Sequence, residues 1–298
     1  MRLQSLSAVV GILAVATVGA CAAAPRPGFT ADDQCPDDAR VVATAELWAK
    51  RMPIPALELK SGMEARCFKH AFLRTLTPRL GALVGYKVGL YSNAARAAYK
   101  TDRPRLGYLY DGMLVASGAD IPAAYGIAGT WESDLLLVVK DDGINTATGR
   151  EGIYRHIRGY RPFIELPDRN YAPDVAVTAE QVEALNVGAR KGVIGAEVPL
   201  PQTAEAMVGL VNFTVDVTVT DADGVKTESG KALTSLGDVL EIVQFARDRV
   251  LAEGHRLKAG DLISIGVVTP AGTPVQGQKL AIRYHVLPAD STVSVNFR

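Results

Sequence analysis

The sequence predicts an α+β fold, and three observations carry that prediction. Short β-branched or alternating apolar runs recur at 83–90, 106–115, 131–139, 191–196, 208–220, 261–268, 279–286 and 292–297, the period-2 signature of strands. Helical patterns are fewer and do not alternate regularly with these runs, which argues against a doubly wound parallel sheet. The 298 residues are 48% apolar, with 32 basic and 32 acidic side chains, enough to bury a sizeable core and too evenly charged to leave a basic footprint for nucleic acid. A small-molecule partner is the expectation.

Residues 1–20 (MRLQSLSAVVGILAVATVGA) have the plan of a signal peptide: Arg2 is the positive n-region, Leu6 to Val18 the apolar h-region, and Gly19 and Ala20 the small residues before cleavage. Val18-Gly19-Ala20-Cys21 is similar to the lipobox of bacterial lipoproteins, in which Cys21 becomes the lipid-modified first residue. The expected location is the periplasmic face of a bacterial membrane, held by that lipid. Ordinary cleavage among Ala20 to Ala24 is the alternative; a permanent span would need about 20 apolar residues, more than this run supplies. Residues 21–38, rich in Ala, Pro and Asp, read as a tether. Two further cysteines, Cys35 and Cys67, are expected to form a disulfide in an oxidising compartment, the alternative being two free thiols.

Residues 39–82 read as an N-terminal helical segment. Val41 to Lys50 form one helix; Pro53 and Pro55 interrupt the pattern; Ser61 and Glu64 make a capping box that opens a second helix with Cys67, Phe68, Ala71 and Phe72 on one face. The body, 83–298, is β-rich with one strong helix, where Ser235 and Asp238 resemble an N-cap pair, Val239, Ile242, Val243, Ala246 and Val250 share a face, and Gly254 ends the run.

The strands carry no glycine-rich nucleotide loop and no serine nucleophile elbow. His70, His156, His255 and His285 are scattered without ligand spacing. The informative segment is Gly129-Thr-Trp131-Glu132-Ser133-Asp134 ahead of the apolar run Leu135 to Val139. Acids at i and i+2 of a strand point to one face, where they repel unless a proton or cation lies between them, and an all-oxygen set selects a hard ion. Glu165, in Pro162-Phe-Ile-Glu165-Leu-Pro-Asp168-Arg169, could close a three-carboxylate site. A solvated strand end is the competing reading for Glu132 and Asp134.

These residues also carry a resemblance. Gly85-Tyr86-Lys87-Val88-Gly89-Leu90 with Ser92, then Glu132-x-Asp134, Glu165-x-x-Asp168-Arg169, Asn186 and Gly195 occur in the order of the landmarks of the 2-keto-4-pentenoate hydratase family, within the fumarylacetoacetate hydrolase superfamily. The resemblance extends over roughly residues 60–298 and implies a mixed β-roll of the fumarylacetoacetate hydrolase C-terminal type with flanking helices, 83–298 being the catalytic domain. It implies Mg²⁺ or Mn²⁺ at Glu132, Asp134 and Glu165, catalytic roles for Lys87 and Asp168, and substrate contacts from Lys87, Ser92 and Asn186. The implied activity is hydration of a small unsaturated 2-oxo or 2-hydroxy acid such as 2-hydroxypenta-2,4-dienoate. Two positions depart from the hydratases: Arg105 stands where they carry an acid, and Gly112 precedes Met113, with Asp111 one position early. A 2-oxo-acid decarboxylase, an acylpyruvate-type hydrolase and a non-catalytic metal- and 2-oxo-acid-binding lipoprotein remain as alternatives, and a homo-oligomer is left open.

Overall fold

In the computed structural model the described residues are 39–287 and 289–298. The expected signal peptide, the tether, Cys21 and Cys35 lie outside them. Cys67 is disulfide-bonded, and the partner the sequence suggests, Cys35, is among the residues not described. No described helix is long and apolar enough to cross a membrane.

Helices α1 (Arg40–Lys50) and α2 (Gly62–Leu80) fall where the pattern places them. The Ser61 hydroxyl accepts the Glu64 N–H at 3.2 Å, and the Glu64 carboxylate accepts the Lys60 N–H at 2.8 Å, one residue ahead of the reciprocal bond in a standard capping box. Trp48 of α1 meets Phe72 of α2 edge-on, and both belong to the same apolar core as the body. The helical segment is therefore packed into the fold.

Next come β1 (Leu83–Gly89), α3 (Asn93–Ala98), β2 (Arg105–Tyr110), β3 (Leu114–Ala116), β4 (Ala119–Ile121), β5 (Glu132–Val139), α4 (Gly149–Arg155), β6 (Ile157–Leu166), α5 (Ala179–Ala184), β7 (Lys191–Ile194) and β8 (Val198–Pro199). The chain closes with α6 (Ala204–Val211), β9 (Thr214–Asp221), β10 (Gly224–Lys231), α7 (Ala232–Leu236), α8 (Val239–Ala252), β11 (Leu262–Ser264), β12 (Lys279–His285) and β13 (Ser291–Phe297). One mixed sheet runs β2-β1-β11-β5-β6-β7-β3, with β8 beside β6; a second runs β10-β9-β12-β13-β4. The sheets are joined through β12 and β13, which lie against β6, and by Tyr284 of β12. Its fully buried hydroxyl bonds to the carbonyl oxygens of Asp134, at 2.6 Å, and Phe163, at 2.8 Å. The α+β prediction and the mixed β-roll agree with this architecture.

The differences from the sequence reading have local causes. The apolar run 208–220 is not one strand: the Thr203 hydroxyl accepts the Ala206 N–H at 3.2 Å and starts α6, leaving only β9 extended. A continuous apolar run does not distinguish helix from strand by period alone. The run 106–115 is broken by a 3-10 turn at Asp111–Met113, where the Asp111 carboxylate accepts the Ala82 N–H at 2.9 Å. A Cβ on Gly112 would stand 2.6 Å from the Leu80 carbonyl oxygen, so glycine is required at this turn. In α8, Asp238 caps by accepting the Leu240 N–H, whereas Ser235 donates to the Val268 carbonyl. The ten-residue β6, central to the sheet, contains Pro162, a residue that argues against a central strand. It is tolerated because β6 changes neighbours there, pairing with β8 at Gly159 and Tyr160 and with β7 from Phe163 onward.

Candidate active site

One face of β1, β11, β5 and β6 gathers the chemistry. Lys87 is in register with Ser264, Ser264 with Leu136, and Glu132 with Glu165. With side chains alternating along each strand, Lys87, Ser264, Glu132, Asp134 and Glu165 share that face. Glycines make room for the lysine. Across β2, Gly107 is the register partner of Lys87, and a Cβ there would stand 2.9 Å from Lys87 Cγ. A Cβ on Gly85 would stand 2.3 Å from the Leu262 carbonyl oxygen, so glycine at this position permits the close approach of β1 to β11.

The buried Lys87 ammonium contacts Glu165 Oε1. Burial alone would lower the lysine pKa, but the facing Glu165, Glu132 and Asp134 outweigh it and raise the pKa above the ordinary value. Asp134, at 0% exposure, is held from below: Oδ1 accepts the N–H groups of Leu135 at 2.6 Å, Ile265 at 3.1 Å and Gly266 at 2.9 Å, and the Ser264 hydroxyl donates to Oδ2. Burial and the neighbouring Glu165 push the Asp134 carboxyl up to about 7 despite these donors. Glu132, half-buried and without such donors, is pushed up to about 8 by burial and by Glu165.

Above this face lies a cavity of about 390 Å³ whose lining includes Lys87, Glu132, Glu165 and Ser92, with apolar walls from Val182, Leu185, Val187, Leu236 and Val267. Ser92 caps α3 by accepting the Ala95 N–H at 3.1 Å, which leaves its own O–H able to donate into the cavity. Asp168 also lines it, but its carboxylate is engaged elsewhere. It accepts the N–H groups of Ile127, Ala128 and Asn170 and pairs with Arg190 at 3.4 Å. Asp168, for which the resemblance implies a catalytic role, thus ties loop 126–128 to the end of β6 while bordering the cavity.

Asn186, expected as a substrate contact, does not line the cavity. Its side-chain oxygen accepts the Tyr108 N–H at 2.7 Å and its NH₂ donates to the Tyr108 carbonyl at 2.9 Å, so both polar groups are occupied by the edge of β2. Arg105 is buried in ion pairs with Glu180, at 3.2 Å, and Glu183, at 3.1 Å. The sequence reading missed Ser264 and the amides of Ile265 and Gly266, whose one local signal is a serine inside the apolar run Leu262-Ile-Ser-Ile.

The expected metal ligands share a face without forming a preassembled cage. Among the described residues, no group of three or more His, Cys, Asp or Glu side chains stands in ligating geometry. The physical reason is that Asp134 is drawn down onto the 264–266 backbone while the ammonium of Lys87 engages Glu165. The donor chemistry nevertheless fits a hard divalent cation. One ammonium cannot neutralise three carboxylates, so without a cation Glu132 and Asp134 hold protons above the ordinary carboxylate range, and all the donors are oxygens, the set a hard divalent ion takes.

No family model matches the chain. A 2-keto-4-pentenoate hydratase of Burkholderia vietnamiensis is 24% identical over 192 residues, covering 63% of this chain and 69% of the relative. Among solved structures, 4-oxalocrotonate decarboxylase from Pseudomonas putida G7, complexed with magnesium and adipate, superposes with a TM-score of 0.73 at 21% identity, over 87% of this chain and 97% of that one. A yeast fumarylacetoacetate hydrolase family protein gives a TM-score of 0.53 at 18% identity, over 73% and 94% of the two chains. In sequence this chain resembles the 2-keto-4-pentenoate hydratases, and in fold it is of the fumarylacetoacetate hydrolase type.

Proposed function

We propose that the chain is a divalent-metal-dependent lyase that hydrates a small unsaturated 2-oxo or 2-hydroxy acid such as 2-hydroxypenta-2,4-dienoate. The observation that carries this reading is that Glu132 and Glu165 line one cavity with Lys87, while Asp134 is buried beside them on the same face of β5. Glu132 and Glu165 would hold Mg²⁺ or Mn²⁺, with Asp134 contributing through Oδ2, the oxygen that accepts a single hydrogen bond from the described residues. The cation supplies stabilisation of negative charge developing on the substrate's C2 oxygen. Lys87, kept protonated by the surrounding acids, pairs with the substrate carboxylate, and Ser92 donates a hydrogen bond beside it. The apolar walls pack against the hydrocarbon tail.

A second reading, decarboxylation of a 2-oxo acid, is favoured by one observation: Asp168 is engaged by Arg190 and the 127–128 amides, and Arg105 stands in ion pairs with Glu180 and Glu183, whereas loss of CO₂ needs a charge sink with fewer acid-base groups. Chelator-treated protein titrated calorimetrically with Mg²⁺ or Mn²⁺, with and without oxalate, should bind the ion, and Glu132→Gln should abolish the response. Absence of heat and of any thermal shift under all these conditions overturns the metal site and both lyase readings. A panel of 2-hydroxydienoates and acylpyruvates then separates hydration from decarboxylation and hydrolysis; 2-oxo acid binding without turnover would identify a binding lipoprotein instead. The same proposal places the protein at the periplasmic face of a membrane through Cys21. Cys21→Ser should release it, and a wild-type protein recovered wholly soluble with an unmodified N-terminus overturns the anchor.

A further inference from the structure

Three successive residues beside the cavity, Asn186, Val187 and Gly188, have φ of 57°, 55° and 69°. Glycine adopts such angles freely and asparagine tolerates them, but a β-branched residue there is a steric outlier. The surrounding structure holds the turn in place. The Asn186 amide grips both backbone groups of Tyr108, the Gly188 N–H reaches the Leu185 carbonyl at 3.1 Å, and the Gly188 carbonyl accepts the Asp168 N–H at 2.9 Å.

The consequence is the direction of one side chain. Val187 lines the cavity and is 6% exposed. A Cβ on Gly89 would stand 2.2 Å from Val187 Cγ1, and a Cβ on Gly107 would lie 3.3 Å from Val187 Cβ and 2.9 Å from Lys87 Cγ. The isopropyl group thus stands beside the Lys87 stem, in space that the two glycines leave open. Strain of this kind persists where the fold over-determines it, and such outliers cluster at ligand sites.

We propose that Val187 is a specificity-determining residue, a wedge that restricts the cavity to 2-oxo acids with short tails. The proposal rests on the 2-oxo acid reading of the site. Val187→Ala and Val187→Gly open the wedge, glycine doing so without opposing the backbone angle, and Val187→Leu extends it. The probes are oxalate, which has no tail, and the straight-chain series pyruvate, 2-oxobutanoate, 2-oxopentanoate and 2-oxohexanoate, titrated calorimetrically into Mg²⁺-loaded protein. The affinity for 2-oxohexanoate relative to pyruvate should rise roughly tenfold in the Ala and Gly variants and fall in the Leu variant, with oxalate affinity moving less than twofold. Unchanged relative affinities with oxalate still bound overturn the wedge alone, and so does an equal loss for every acid in all three variants, the mark of a purely structural role. A wild-type protein that binds neither oxalate nor any 2-oxo acid overturns the site reading and the wedge together.

Discussion

Two buried carboxylate clusters lie to either side of β1, one facing Lys87 and the other near Tyr86 and Tyr108, and they are compensated differently. On the face of Lys87, three acids meet one ammonium. On the other face, where Tyr86 and Tyr108 pair in register, Glu253 receives Lys69 at 3.2 Å, His70 Nε2 at 3.0 Å, the Tyr108 hydroxyl at 2.7 Å and Arg249 at 2.9 Å. Beside it, Glu183 pairs with Arg105 at 3.1 Å and lies 3.8 Å from Lys69. Burial pushes the Glu253 carboxyl up, but Lys69, His70 and Tyr108 more than offset this and hold it well below the usual carboxylate range. Burial and the neighbouring Glu165 push Glu132 and Asp134 up to about 8 and about 7: the described residues offer Glu132 no such donors, and the Ser264 hydroxyl and backbone N–H groups around Asp134 do not outweigh the loss of water. A buried acid matched by donors ties elements together; one in excess of its donors leaves a place for a cation.

The contrast can be broken most sharply from the back. Lys69→Met leaves Glu253 and Glu183 short of their shared cation and should cost about 3–5 kcal/mol in denaturant unfolding; an unchanged midpoint would show that the back cluster is not cement. Next in size is a pH effect of opposite sign on the two faces. Glu132 and Asp134 bind protons more tightly folded than unfolded, so metal-free protein should lose about 2 kcal/mol or more as pH rises from the ordinary carboxylate range, about 4, towards 8, and saturating Mg²⁺ should flatten that slope. Glu253 binds its proton less tightly folded, so its contribution is present above about pH 4.3 and disappears on further acidification. A metal-free stability that rises between pH 5 and 8 would contradict the under-compensated front. The smallest effect belongs to the hinge between the sheets: Tyr284→Phe leaves the carbonyls of Asp134 and Phe163 without their donor and should cost about 1–3 kcal/mol, with Mg²⁺ affinity falling as β5 loosens. Full Mg²⁺ affinity in a destabilised variant would confine Tyr284 to a structural role.

Much of the front face is set by local pattern. Alternation along Glu132-Ser133-Asp134 and the apolar run behind it place both acids on one side of a strand, and the glycines around Lys87 mark a lysine stem packed against neighbouring backbone. Those features depend on residues next to each other in the chain, where the period of the strand is enough. The tertiary structure decided which polar groups remain free. Asp134 is met by Ser264, Ile265 and Gly266 from β11 and the residues after it, Asp168 by Ile127 and Ala128, and Asn186 by Tyr108, all contributed by distant segments. A carboxylate's role depends on how many donors surround it, and donors brought in by strand pairing leave no mark in the spacing of the acids themselves. Local periodicity therefore determined which face each side chain occupies, whereas long-range pairing determined whether it anchors a loop, clamps an edge or faces the cavity.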